Sequence, residues 1–113
     1  MKSEELRLGN WVNSKFPMQV TCIYKDEILC SFEGNEADPF EFDPKDLEGI
    51  PLTDEWLLKF GFDKEIRSEL WFRPDFWVQE MLLLPGSFYH NGLEIKYVHQ
   101  LQNLYFALTE KEL

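Results

Sequence analysis

Apolar and polar positions alternate with a period of two over much of the first half of the chain, the pattern of strands that bury one face. Leu6 and Leu8 lead into Trp11-Val12, which predicts a first strand kinked at Gly9-Asn10. Met18, Val20, Cys22 and Tyr24 follow, with Gln19 and Thr21 between the first three, and Ile28, Cys30 and Phe32 resume the period beyond Lys25-Asp26-Glu27. A three-residue turn at that point sets Tyr24 across from Ile28, Cys22 across from Cys30 and Val20 across from Phe32, making one hairpin face wholly apolar. A two-residue turn would pair Val20 with Ser31, so the three-residue register is the expectation. Phe40 and Phe42 alternate in the same way and predict a short strand.

A helix comes next. Thr53 suits an N-cap, Asp54 and Glu55 sit where the helix dipole favours negative charge, and Gly61 follows Lys59-Phe60 as a left-handed C-cap, with Phe62 folding back on Leu57. Strands then return. Leu70-Trp71-Phe72 and Phe76-Trp77-Val78 flank a turn at Arg73-Pro74-Asp75, the second strand continuing through Met81 to Leu82-Leu83-Leu84 until Pro85-Gly86 turns the chain again. Asn91-Gly92 between Ser87-Phe88-Tyr89-His90 and Leu93-Glu94-Ile95 is a strong two-residue hairpin signal. From Val98 to Glu110 the period becomes helical, with Val98, Leu101, Leu104, Tyr105 and Leu108 on one stripe.

These elements predict an α+β fold. Residues 1–52 form a small, strongly bent antiparallel sheet or barrel, and residues 53–113 a helix, antiparallel strands and a C-terminal helix sharing one core with the first lobe.

Composition narrows the function. The 113 residues carry 11 Lys and Arg against 21 Asp and Glu, a formal charge of −10 that disfavours a phosphate-neutralising surface and so direct nucleic-acid binding. No apolar stretch approaches the roughly 18 residues of a membrane span, and Met1-Lys2-Ser3-Glu4-Glu5 leads straight into a strand pattern, so a cytoplasmic protein is expected. Cys22 and Cys30 then act as small core hydrophobes and not as a disulfide. Two cysteines and two histidines lack the spacing of a zinc site, which predicts no metal, and no cofactor motif occurs. Glu33, Glu36, Asp38, Glu41, Asp43, Asp46 and Glu48 face a single Lys45 over residues 33–48; Pro39 and Pro44 interrupt any calcium-loop spacing, so this is expected to be a solvated acidic rim.

Three segments carry a family likeness: Leu6-Arg7-Leu8-Gly9-Asn10-Trp11-Val12, the run from Leu47 to Phe62 containing Ile50-Pro51-Leu52-Thr53-Asp54-Glu55-Trp56, and the run from Tyr97 to Thr109. Together they resemble a family of small uncharacterised proteins of Bacteroidetes genomes, common in prophages and other mobile elements. The first segment also resembles the opening strand of SH3-like barrels, which implies an SH3-like antiparallel half-barrel for the N-terminal lobe. The likeness implies a phage or mobile-element setting and carries no activity, substrate or catalytic residue with it.

Nothing in the pattern pairs a nucleophile with a base, so catalytic residues are not expected and the chain reads as non-enzymatic. Two contact surfaces stand out instead. His99, Gln102, Asn103 and Phe106 form an uncharged side of the terminal helix, buried within the monomer or meeting another chain, a protein partner or a second copy. In the aromatic strand region Trp71, Phe72, Phe76 and Trp77 each tryptophan points opposite to its neighbouring phenylalanine, so at least one tryptophan is expected outside one sheet face, packed by a helix on the far side or, flanked by Arg73, used for partner recognition. Three functions fit: a protein-binding accessory module, an acidic decoy occupying the DNA site of a host protein, and a nucleic-acid binder that clusters Lys15, Lys25 and Lys45 on the first lobe.

Overall fold

The structure, a computed structural model, describes residues 1–32, 35 and 37–113. It is α+β, with two antiparallel five-stranded sheets and a C-terminal helix. The chain divides into two compact units, Met1–Ile50 and Pro51–Leu113. Glu33 and Glu36 of the expected acidic rim lie outside the described residues.

The first unit contains β1 (Trp11–Asn13), β2 (Pro17–Ile23), β3 (Ile28–Ser31), β4 (Phe40–Phe42) and β5 (Glu48–Gly49), in spatial order β4-β3-β2-β1-β5. Val12, Met18, Val20, Ile28, Cys30 and Leu47 are buried together, with Leu6 beside them. The first strand is shorter than the alternation predicts. Residues 6–10 form a turn in which the Asn10 side-chain carbonyl accepts the Arg7 N–H at 2.6 Å, and the Gly9 N–H and Asn10 carbonyl bond the backbone of Val20. Leu8 is consequently exposed, and β1 starts only at Trp11.

The β2–β3 register corrects the expectation. The Tyr24 N–H bonds the Glu27 carbonyl at 2.8 Å, closing a two-residue turn at Lys25-Asp26, and Ile23 faces Ile28. A bulge between Val20 and Cys22 then shifts the pairing, so that Cys22 faces Leu29 and Val20 faces Cys30. The extra residue returns Met18 and Val20 to the apolar face of Ile28 and Cys30, which a plain two-residue turn would have lost. The two cysteines are therefore not opposite one another; both are free thiols, and burial pushes the Cys30 thiol up to about 11.

The second unit opens with α1 (Asp54–Lys59), whose ends follow the local signals. The Thr53 hydroxyl accepts the Trp56 N–H at 3.4 Å, Gly61 is left-handed at φ 84°, and the Phe62 N–H returns to the Leu57 carbonyl at 3.0 Å. A sheet follows, built from β6 (Asp63–Glu65), β7 (Leu70–Arg73), β8 (Phe76–Met81), β9 (Leu84–His90) and β10 (Leu93–Ile95) in order β10-β9-β8-β7-β6. Asn91 and Gly92 both have positive φ between paired His90 and Leu93, the two-residue hairpin expected.

The β8–β9 connection again corrects the expectation. The chain turns at Leu82-Leu83, while Pro85 and Gly86 lie inside β9 at a register irregularity beyond the Met81–Leu84 pair. The reason is Glu80, buried on the closed side of the sheet, whose carboxylate accepts the Gly86 N–H at 3.1 Å. Gly86 adopts φ 89° to present that N–H, a conformation that favours glycine.

Helix α2 (Val98–Thr109) covers the closed side of this sheet. Gln100 reaches back to the Lys96 and Tyr97 N–H groups, and Glu110 ends the helix in the left-handed region. Val98, Leu101 and Tyr105 are buried, Tyr105 meeting Phe76 edge to face at 5.4 Å. Leu108, expected on the same stripe, is exposed near the helix end. No helix among the described residues is long and apolar enough to cross a membrane.

Candidate functional site

Strand alternation divides the second sheet into a closed side under α2 and an open side. Trp71, Phe76, Val78, Phe88 and Ile95 are on the closed side and buried, and the buried His90 ring stacks on Phe76 at 4.6 Å and packs against the Trp77 ring at 4.5 Å. Phe72 pairs with Trp77 across β7 and β8, and Gln79 pairs with Tyr89 across β8 and β9, all on the open side. Met81 and its partner Leu84 extend that stripe to the hairpin tip. Trp77 is 38% exposed, between a groove of about 580 Å³ that includes Leu70 and Phe72 and one of about 520 Å³ that includes Met81 and Tyr89. Beyond the stripe stands Leu83, 87% exposed, at the turn itself.

The borders of this side are acidic. Asp63 faces Phe72 and Glu65 faces Leu70 on one edge strand, and Glu94 faces Tyr89 on the other. Alternation turns Lys64 and Arg73 to the closed side: Lys64 lies 2.8 Å from Glu69, and the Arg73 guanidinium stacks over the Tyr105 ring and donates to the Phe60 carbonyl. Among the described residues no strand position on the open side holds Lys or Arg; Lys96, just past β10, pairs with Glu94 at 3.8 Å.

Of the six residues singled out in the sequence, the structure puts only Trp77 on this face. Trp71 is 3% exposed, its indole N–H donating to Glu80 at 3.0 Å, which corrects its assignment to a contact surface. On α2, His99 and Gln102 are each 3% exposed and so present no open surface, Asn103 is half-buried, and Phe106 is 37% exposed. Uncharged side chains at those positions accord with burial, since an ionised group there would carry a desolvation penalty. Sequence reasoning placed Phe72 in the aromatic strand region without singling it out as an exposed partner of Trp77, and it missed Met81 and Leu84. The available signal was the run Met81-Leu82-Leu83-Leu84 ending at Pro85-Gly86, which reads equally as a buried strand or as an apolar hairpin tip.

The closed side also holds charged groups. Glu80 accepts from Trp71 and Gly86 and lies 3.9 Å from Lys64. Desolvation, then the charge of Glu80, raises the Asp54 carboxyl above its ordinary value despite Lys64. At the opposite turn, Asp75 accepts the Tyr105 hydroxyl at 3.0 Å and the Lys111 ammonium at 3.3 Å. Desolvation pushes its pKa up, but those bonds, its own backbone and the Lys111 charge outweigh it and leave the carboxyl below its ordinary value. Both carboxylates are engaged in holding strands and helix together. Among the described residues no group of three or more His, Cys, Asp and Glu is placed to hold a metal ion.

No protein-family model, no curated protein and no solved structure matches this chain.

Proposed function

We propose that the chain is a non-enzymatic protein-binding accessory module whose contact surface is the open side of its second sheet, centred on Trp77. The observation that carries this reading is the row of exposed apolar side chains Phe72, Trp77, Met81 and Leu84 on one side of the sheet, with half-buried Gln79 and Tyr89 between them. Large apolar side chains gathered on one solvent face are characteristic of interaction sites, and tryptophan is enriched among the residues that dominate binding. The phage or mobile-element setting and the SH3-like description of the first unit belong to the same proposal. The first rests on the family resemblance, the second on the resemblance and a five-stranded antiparallel sheet.

The test compares affinity capture by the wild type with capture by Trp77→Ala and by Phe106→Lys, after nuclease treatment. A protein retained by wild type and Phe106→Lys but lost with Trp77→Ala supports this face. Loss with Phe106→Lys alone moves the surface to α2, and an unchanged set of partners overturns both.

The charge of −10 favours a second reading, an acidic decoy for a DNA-binding protein. Its signature would be a captured partner released by competing duplex DNA. Direct nucleic-acid binding by the first unit finds less support. Lys15 and Lys25 sit in the turns at opposite ends of β2, about 23 Å apart for a seven-residue strand, and Lys45 pairs with Asp43.

A further inference from the structure

The geometry points to a cationic amphipathic helix as the occupant of the open face, an inference that rests on the reading of that face as a protein-binding surface. Its chemistry follows from the borders. Asp63 and Glu65 on β6 flank the aromatic stripe along one edge; on the other edge Glu94 is paired with Lys96, and Arg73 lines the groove beside Phe72 with its guanidinium turned to the Phe60 carbonyl and the Tyr105 ring. An apolar side chain beside Trp77 would carry its neighbours over these carboxylates, where Lys or Arg gains both Coulombic attraction and the faces of exposed rings. A second copy of this chain would set carboxylates against carboxylates, which makes self-association through this face the poorer fit.

The shape of the sheet selects a helix over a strand. Its edges are three-residue strands, the all-charged Asp63–Glu65 and Leu93–Ile95, too short to accept an added strand over any length. The stripe follows β8, whose six residues span about 20 Å, the length of about 13 helical residues. A helix laid there would cover the sheet's open side as α2 covers its closed one. The grooves on either side of Trp77, beside Phe72 and beside Met81 and Tyr89, would take successive apolar side chains of one helix face.

The experiment measures fluorescence anisotropy of three labelled model helices of equal length, built from Leu with Lys, Leu with Gln and Leu with Glu. The expected result is that the Leu/Lys helix binds the full-length protein about tenfold tighter than the Leu/Gln helix. Trp77→Ala, or Phe72→Ser should Trp77→Ala disturb the fold by circular dichroism, should weaken that binding about tenfold. Asp63→Asn/Glu65→Gln should remove most of the preference for Lys. Asp38→Asn/Asp46→Asn, which removes the same charge from the first unit, should leave the preference intact.

Equal, Trp77-dependent binding of the Leu/Gln and Leu/Lys helices would overturn the cationic partner and leave the protein-binding face standing. Leu/Lys binding insensitive to Trp77 and Phe72, or weakened equally by the two charge variants, would reduce the effect to general attraction by an acidic protein and overturn both. Tighter binding of a labelled oligothymidylate, lost in Trp77→Ala, would overturn the helix in favour of base stacking.

Discussion

Glu80 shows how a single buried carboxylate can organise a strand connection. It lies under the sheet with Trp71 and Gly86 as donors and Lys64 nearby. Removing it leaves the buried Trp71 indole N–H and the Gly86 N–H without their acceptor, while Lys64 keeps Glu69 at 2.8 Å, so Glu80→Ala should lower unfolding free energy by about 2 kcal/mol in urea titration. Glu80→Gln keeps one acceptor oxygen and should lose less. Asp75 makes a prediction of opposite pH character to Asp54. Its pKa is lowered in the folded state, so its contribution is present above the ordinary value of 3.8 and is lost as pH falls through the lower folded value. Asp54 is raised, so its contribution favours the folded state at low pH and is lost as pH rises through the raised value. Asp75→Asn should therefore be less stable than wild type at neutral pH and converge with it under acid. A gap that stays constant from pH 7 to pH 2 would show that the carboxylate charge is not what clamps Tyr105 and Lys111.

Elements whose cause is local were legible in the sequence. The cap, the dipole-matched acids and the terminal glycine of α1 lie within a few residues of one another, and each makes the bond expected of it. Thr53→Ala should cost about 1 kcal/mol, and Gly61→Ala about 1–2 kcal/mol because its φ of 84° disfavours a Cβ. Near-additivity of the two in thermal or urea melts would identify separate end effects; a much smaller Gly61→Ala cost would mean that the turn reshapes freely. The Asn91-Gly92 hairpin was legible for the same reason. Elements set by distant partners were not. Strand β6 is Asp-Lys-Glu and wholly exposed, with no alternation to announce it, and exists because β7 offers an edge. The bulges at Thr21 and around Pro85-Gly86 are likewise tertiary, one restoring the apolar face of a hairpin and the other serving Glu80. Of the open face, alternation indicated that at least one tryptophan would be exposed, but choosing Trp77 over Trp71 required knowing which side α2 covers. The burial of His99 and Gln102 left only the absence of charge as a trace.

At the scale of the molecule, a charge of −10 coexists with an apolar hairpin tip in which Leu82, Leu83 and Leu84 are all exposed. Such a tip invites association, and mutual repulsion between acidic copies opposes it. The balance should therefore depend on pH. Near neutrality the carboxylates are ionised and sedimentation velocity should report a monomer. As pH approaches the carboxylate range the charge falls while the folded core persists, and self-association should rise. Leu83→Lys tests the account cleanly, because the side chain is 87% exposed. Its unfolding free energy should match wild type within about 0.5 kcal/mol, while acid-induced association drops. Association that persists in Leu83→Lys but disappears in Trp77→Ala would shift the sticky surface from the tip to the aromatic centre of the sheet. On the proposed reading charge would do two jobs in this chain: keep copies apart, and through Asp63 and Glu65 select which foreign helix can approach the same apolar stripe.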